Sequence, residues 1–446
     1  MYIIFFTLVI FAFNEKRWAT PRILEWDVYG YSLYLSGSVI YKDLAYLKFH
    51  DTVRNENKIT LGVPNTFAFH QMPNGKRLIK YTMGNALTMA PFYFLAHILT
   101  YVFSPQYADG YTGLYKFSIV LCSLFWLLLG IYFIKKWLIK YFKVTYINIG
   151  ILAATLGTNM FYYAAVEVGL AHIPLFFCYS AICYYFNSWL VNNNKNYVYI
   201  TAALYGLLLL IRPTDGIIII LLALWWLGYN WAKLKNLSYL INQSKQIAIA
   251  AIISLLVFMP QIIYWKLTTG CYFYDSYIGE HFDFTQPHIF KGLFSWRRGL
   301  FLYTPMAIFM FMGVMFLPKI LKPLAVALCV FFIVGVYITF SWQQWWYGGH
   351  FGMRAFIQWY PFLILGVAAL LQKISSIKNA ILKQIFMLLC TIFISCFLML
   401  NIFQCLQYAH GIIRWDDMTR ETYLNIFFKY ELPWPEMKRI YGDKAW

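Results

Sequence analysis

Long, nearly uncharged apolar runs limit what this chain can fold into more than any other feature. Stretches 117–134, 247–265, 324–340 and 384–400 carry almost no charge. Each is about long enough as a helix to cross a bilayer core of about 30 Å. Inside hydrocarbon every backbone N–H and C=O must be satisfied within the protein, so such runs fold as helices. With 61% hydrophobic and only 12% charged residues over 446 positions, the chain fits one polytopic membrane domain and not a set of soluble ones.

The few charges then report topology. Five short loops hold Lys135, Lys136, Lys140 and Lys143; Lys195; Lys233, Lys235 and Lys245; Lys319 and Lys322; and Lys373, Lys378 and Lys383. No carboxylate occurs in them, which marks a cytoplasmic side. They alternate with the opposite side if the crossings are 1–13, 117–134, 146–164, 172–189, 197–211, 216–232, 247–266, 300–317, 324–341, 356–372 and 384–405. The expectation is thus an all-α polytopic membrane protein of about 11 transmembrane helices, N-terminus inside and C-terminus outside. All 18 acidic residues and all eight histidines then face the extracytoplasmic compartment. That arrangement requires 85–103 to lie at the outer interface as a juxtamembrane helix, since a crossing there would invert every later loop. The transmembrane domain spans 1–405, with a long first extracytoplasmic loop, 14–116, and a short tail, 406–446.

Met1–Phe13 lacks the basic start and small-residue cleavage site of a secretory leader, and is expected to be the first crossing. Its 13 residues cover only about 20 Å as a helix, so the natural helix is expected to be longer.

Other classes are disfavoured. The net charge of +18 comes from scattered loop lysines and not from a basic run, which argues against nucleic acid. Of eight cysteines only Cys271 lies clearly in a loop, and no CxxC pair exists, which disfavours a disulfide framework or a zinc knuckle. No P-loop, dinucleotide fingerprint or HExxH occurs. No cytoplasmic domain is expected that would bind ATP or a nucleotide sugar.

On the outer side, Glu25-Trp26-Asp27 follows the first helix directly, and a carboxylate there can take a proton from a substrate hydroxyl. Glu167 and His172 flank a very short turn, where they can bind a metal, orient a substrate or pair with each other. Their spacing of five is not a metal signature. Arg297 and Arg298 precede the eighth crossing. Trp345-Trp346-Tyr347-Gly348-Gly349-His350 leads to Arg354. Arginine forks suit phosphate oxygens, glycines let backbone N–H groups approach an anion, and aromatic faces suit sugars. An interfacial aromatic belt with anchoring cations would have the same composition. Arg212 and Asp215 fit a structural ion pair at a helix break.

The ordered set Glu25-Trp26-Asp27, Lys80, Glu167/His172, Arg212-Pro213 and Trp345-Trp346-Tyr347-Gly348-Gly349 to Arg354 resembles the GT-C-type membrane glycosyltransferases, which include the protein O-mannosyltransferases and the lipid A aminoarabinose transferases. The resemblance implies a polyprenyl-phosphate-linked sugar donor, a glycan, lipid or protein acceptor, and a site on the extracytoplasmic face of the plasma (inner) membrane. It implies Asp27 as general base, with Glu25 as a second acid. Donor phosphate would meet Arg354, Arg297, Arg298 and Lys80, and Glu167, His172, Trp345, Trp346, Tyr347 and His350 would bind substrate. No cofactor is expected, and no divalent cation is indicated. The chain departs from the pattern in two places. Tyr81-Thr82 stands where many relatives have a proline pair after the basic residue, and Trp26 separates two acids that are adjacent in the mannosyltransferases. A lipid or glycan transporter and a non-enzymatic scaffold of a glycan-assembly complex are the other classes that the composition admits.

Overall fold

The computed structural model describes residues 2–56 and 67–441. Among them the protein is all-α apart from one hairpin, and each expected crossing falls on helix. Seven helical segments are long and apolar enough to cross a membrane: Gly84–Phe103, Leu114–Leu138, Pro213–Lys233, Leu237–Thr269, Lys319–Phe340, Arg354–Ser375 and Ala380–Ala409. Several long apolar helices of this kind mark a membrane protein. Gly84–Phe103 is one of the seven, so only the lysine distribution, and not its length, argues for the interface. Val144–Leu156, Lys195–Ile211 and Pro305–Phe316 are shorter apolar helices.

Two of the expected crossings are broken. The range 146–164 is two helices, Val144–Leu156 and Met160–Ala165. The gap frees backbone carbonyls that lipid cannot satisfy. Asn401, buried on the Ala380–Ala409 helix, supplies the donors: its Nδ2 lies 2.9 Å from the Leu156 carbonyl and 2.8 Å from that of Thr158. The range 300–317 breaks at Thr304, just before Pro305, whose ring removes a backbone donor.

The helices differ sharply in enclosure. In the central part of Arg354–Ser375, 89% of residues are buried, against 11% for Ala380–Ala409. The first is a core helix with apolar residues on all sides, and the second leaves most of its apolar surface free for lipid. Close packing at the core needs glycine. A Cβ on Gly313 would lie 2.1 Å from the Gly366 Cα of the core helix.

The segment expected as the first outer loop is folded among its described residues. Trp26–Leu35 is a buried helix. Phe69–Gln71 pairs antiparallel with Arg77–Ile79 in the register Phe69↔Ile79, His70↔Leu78 and Gln71↔Arg77. The hairpin delivers Lys80 and Tyr81 to that helix. The Lys80 N–H donates to the Ala68 carbonyl at 2.9 Å, and the Tyr34 hydroxyl donates to the Tyr81 carbonyl at 2.8 Å.

Candidate active site

Asp27 sits in the first turn of Trp26–Leu35, where the exposed N–H groups of a helix start favour an acid. Gly30, one turn on, has no side chain. A Cβ there would stand 2.4 Å from the Tyr81 ring, so the missing atom lets that ring lie on the helix. The Tyr81 hydroxyl thereby reaches Asp27 and donates to Oδ1 at 2.7 Å. Arg354, which opens the Arg354–Trp359 turn, donates from Nη1 to Asp27 Oδ2 at 3.2 Å. Both partners of this pair are largely buried, with side chains 12% and 15% exposed. A second Arg354 donor, Nε, is buried without a partner.

The electrostatics of Asp27 have opposing causes. Burial pushes its carboxyl up. The Arg354 guanidinium, the His350 imidazole, the Tyr81 hydrogen bond and the Lys80 ammonium more than offset this and hold it below the ordinary carboxylate value. Burial and the Asp27 charge push the Tyr81 hydroxyl well above its usual value, so Tyr81 remains a donor.

Beside this pair, the Glu167 Oε1 and His350 Nδ1 atoms are 2.5 Å apart. Burial raises the Glu167 carboxyl. The His350 imidazole and its hydrogen bond, then Arg17 and Arg354, pull it below the usual range. Its other oxygen, Oε2, is buried without a partner. Arg17 donates to the Tyr162 hydroxyl at 2.9 Å. Arg17, Glu25, Trp26, Asp27, Glu167 and His350 line one narrow cleft.

Two aromatic residues flanking the site hold left-handed backbone, Trp26 at φ 46° and Tyr347 at φ 57°. Such angles are costly for bulky side chains and concentrate at functional sites. Tyr347 is held by its hydroxyl on the Thr339 carbonyl at 2.9 Å, with the Arg212 guanidinium 5.4 Å from its ring centre.

The site residues expected from sequence divide into groups. Asp27, Arg354, Glu167, His350 and Glu25 come together. Lys80 lies next to them, paired with Glu280 at 2.5 Å and facing the rings of Phe67 and Tyr277. His172 pairs with Gln358 and not with Glu167, its Nδ1 lying 3.4 Å from Gln358 Oε1. Gln358 Nε2 in turn donates to Asp215 Oδ1 at 3.1 Å, and Arg212 Nε stands 3.7 Å from Asp215 Oδ2. The expected ion pair at the helix break is thus present, joined through Gln358 to His172.

Arg297 is used elsewhere. It makes a two-pronged pair with Asp416 at 2.7 and 2.8 Å, reaches Asp417 at 3.3 Å, and lies 3.8 Å over the Trp346 ring. Trp346 therefore carries an arginine on its face, and Trp345 is buried against it. Arg298 is only 1% exposed, with Nε and Nη2 unpartnered, and makes no hydrogen bond or ion pair with Asp27 among the described residues. No group of three His, Cys, Asp or Glu side chains that could hold a metal occurs among the described residues.

Sequence reasoning missed Tyr81, Gln358 and Arg17 as site residues. Tyr81 had a signal, since Tyr81-Thr82 stands where many members of the resembled family have a proline pair. Gln358 and Arg17 had none, because their partners lie 143 to 186 residues away. Comparison with family models and with curated proteins returns no match.

Proposed function

We propose that this chain is an integral membrane glycosyltransferase. It moves a sugar from a polyprenyl-phosphate donor to an acceptor hydroxyl on the extracytoplasmic face of the plasma membrane, on a GT-C-like scaffold of about eleven crossings. One observation carries the reading. Asp27 lies in a buried cleft against Arg354, an arginine that keeps one guanidinium donor unused.

The acceptor hydroxyl gives its proton to Asp27, and its oxygen attacks the anomeric carbon. The bond from that carbon to the donor phosphate oxygen breaks, with inversion. The departing lipid phosphate keeps the electron pair, and Arg354 meets the added charge through Nε, with Lys80 nearby. Arg354 thereby couples the two ends of the reaction. While it neutralises Asp27 alone, the carboxyl is held low and is a weak base. A phosphate that takes up the guanidinium charge loosens that hold. Burial then dominates and raises the carboxyl's affinity for a proton when the acceptor must lose one.

The test is direct. Purified protein in lipid nanodiscs receives a panel of labelled polyprenyl-phosphate sugars and a membrane-fraction acceptor extract. The expected result is release of polyprenyl phosphate with transfer of the label and inverted anomeric configuration. Vectorial movement of a lipid-linked sugar across proteoliposomes, with no bond cleaved, would replace this reading with a transporter.

A further inference from the structure

The cleft at Asp27 has a form that selects among acceptors. Its enclosed part is small, about 30 Å³, with room for a water-sized group such as a hydroxyl. Two carboxylates besides Asp27 line it, Glu25 and Glu167, and Glu167 Oε2 is buried there with no partner. An ionised carboxylate only accepts hydrogen bonds, so Glu167 Oε2 calls for a donor such as a hydroxyl.

At the mouth stands Trp26, 38% exposed in an otherwise buried helix. Its tilt is fixed from two directions. Its backbone is held at φ 46°, and Phe67 meets its ring at 4.6 Å with the planes 87° apart. An exposed indole held in a costly backbone conformation, next to the unpartnered Glu167 Oε2, forms a flat apolar surface beside a hydrogen-bond acceptor. A sugar is a complementary shape, with C–H groups on one face and hydroxyl donors around the edge. The aliphatic side chains that complete the lining, Ile23, Val28, Val166, Val168 and Leu170, suit the C–H groups beside that hydroxyl, whereas a peptide serine would bring backbone amides that need partners of their own.

Building on the glycosyltransferase reading, we propose that the acceptor is a glycan. One of its rings stacks on the exposed face of Trp26, and one hydroxyl enters the cleft between Glu167 and Asp27. Glu167 orients that hydroxyl through Oε2 while His350 holds Oε1, and Asp27 faces the same oxygen to receive its proton.

Saturation-transfer NMR on nanodisc-embedded protein tests this without any donor, using maltose, cellobiose, mannobiose and chitobiose against empty nanodiscs. At least one disaccharide is expected to show saturation concentrated on the C–H protons of one ring face. Trp26→Ala should weaken that binding about tenfold, and Trp26→Phe should keep it within about threefold. Glu167→Gln should weaken it while leaving the ring-face pattern unchanged. No saturation above empty nanodiscs, or equal binding by wild type and Trp26→Ala, overturns the proposal. Trp26→Phe and Glu167→Gln keep it testable if the alanine variant does not fold. The two readings fail separately. Glycan binding that depends on Trp26, with no sugar transfer from any donor, leaves the subsite standing and removes the enzyme. Transfer onto a lipid or peptide with no disaccharide binding does the reverse.

Discussion

Two of the molecule's arginine–aspartate pairs, Arg297–Asp416 and Arg354–Asp27, differ in their hydrogen bonding. At the tail, Arg297 meets Asp416 through two parallel hydrogen bonds, has Asp417 as a second acid and stacks on Trp346. At the first loop, Arg354 meets Asp27 through one hydrogen bond and keeps a buried Nε unpartnered. In the first pair both Asp416 oxygens are taken by the arginine. The second retains capacity at both ends, since Asp27 faces a cleft and Arg354 holds a spare donor. A buried donor left unmade costs stability, and a bound anion would relieve that cost at Arg354. Both arginines fit the same phosphate-binding expectation in the sequence. Their hydrogen bonds separate them.

The comparison can be broken most forcefully at Asp27. Asp27→Asn keeps the shape and removes the base, and sugar transfer should fall about 10²- to 10⁴-fold. A transfer rate equal to wild type in folded protein would place the base elsewhere. Arg354→Gln should lower transfer about 10²- to 10³-fold by removing charge stabilisation on the leaving phosphate. It should also lower the thermal unfolding temperature, because Asp27 is left buried and unpaired.

Arg297→Gln sharpens the contrast from the other side. Transfer should stay within about threefold of wild type, while stability falls by about 0.5–1 kcal/mol, as for a partly exposed pair. Hydrogen exchange over 410–430 should quicken, because the tail loses its anchor. A collapse of transfer with an unchanged tail would move Arg297 into the reacting site.

The smallest effect is on pH. Asp27 and Glu167 are both held below the ordinary carboxylate range in the folded protein. In the unfolded chain they titrate near about 4, so that chain takes up protons first as pH falls. Their stabilisation is complete above about pH 5 and is lost as pH drops through the folded values. Thermal unfolding between pH 7 and 3 should show this decline, and Asp27→Asn should make it shallower.

Much of the fold was legible because lipid allows few alternatives. Apolar runs such as 117–134 and 384–405 had to be helices, and they are. The break inside 146–164 was not legible, because what makes it tolerable is Asn401, some 240 residues further on. The candidate site was half legible. Asp27 and Arg354 stood out by residue type and neighbourhood, but their contact spans 327 positions. Glu167 and His172 looked like one unit because they share a turn. Glu167 instead faces His350, and His172 faces Gln358, because the turn ends in a helix start that points the two side chains to different walls. The roles of Arg297 and Arg354 were illegible in principle, since saturation is a property of partners and only the folded chain supplies them.

A double-mutant cycle on Asp27 and Arg354 tests the central claim most directly. Transfer from a polyprenyl-phosphate sugar is measured in nanodiscs for wild type, Asp27→Asn, Arg354→Gln and the double variant, each normalised to folded protein. If the pair acts as one unit, the double variant should be no more than about tenfold slower than the slower single variant. Losses that multiply in full, or a folded double variant that transfers sugar at the wild-type rate, would contradict the account.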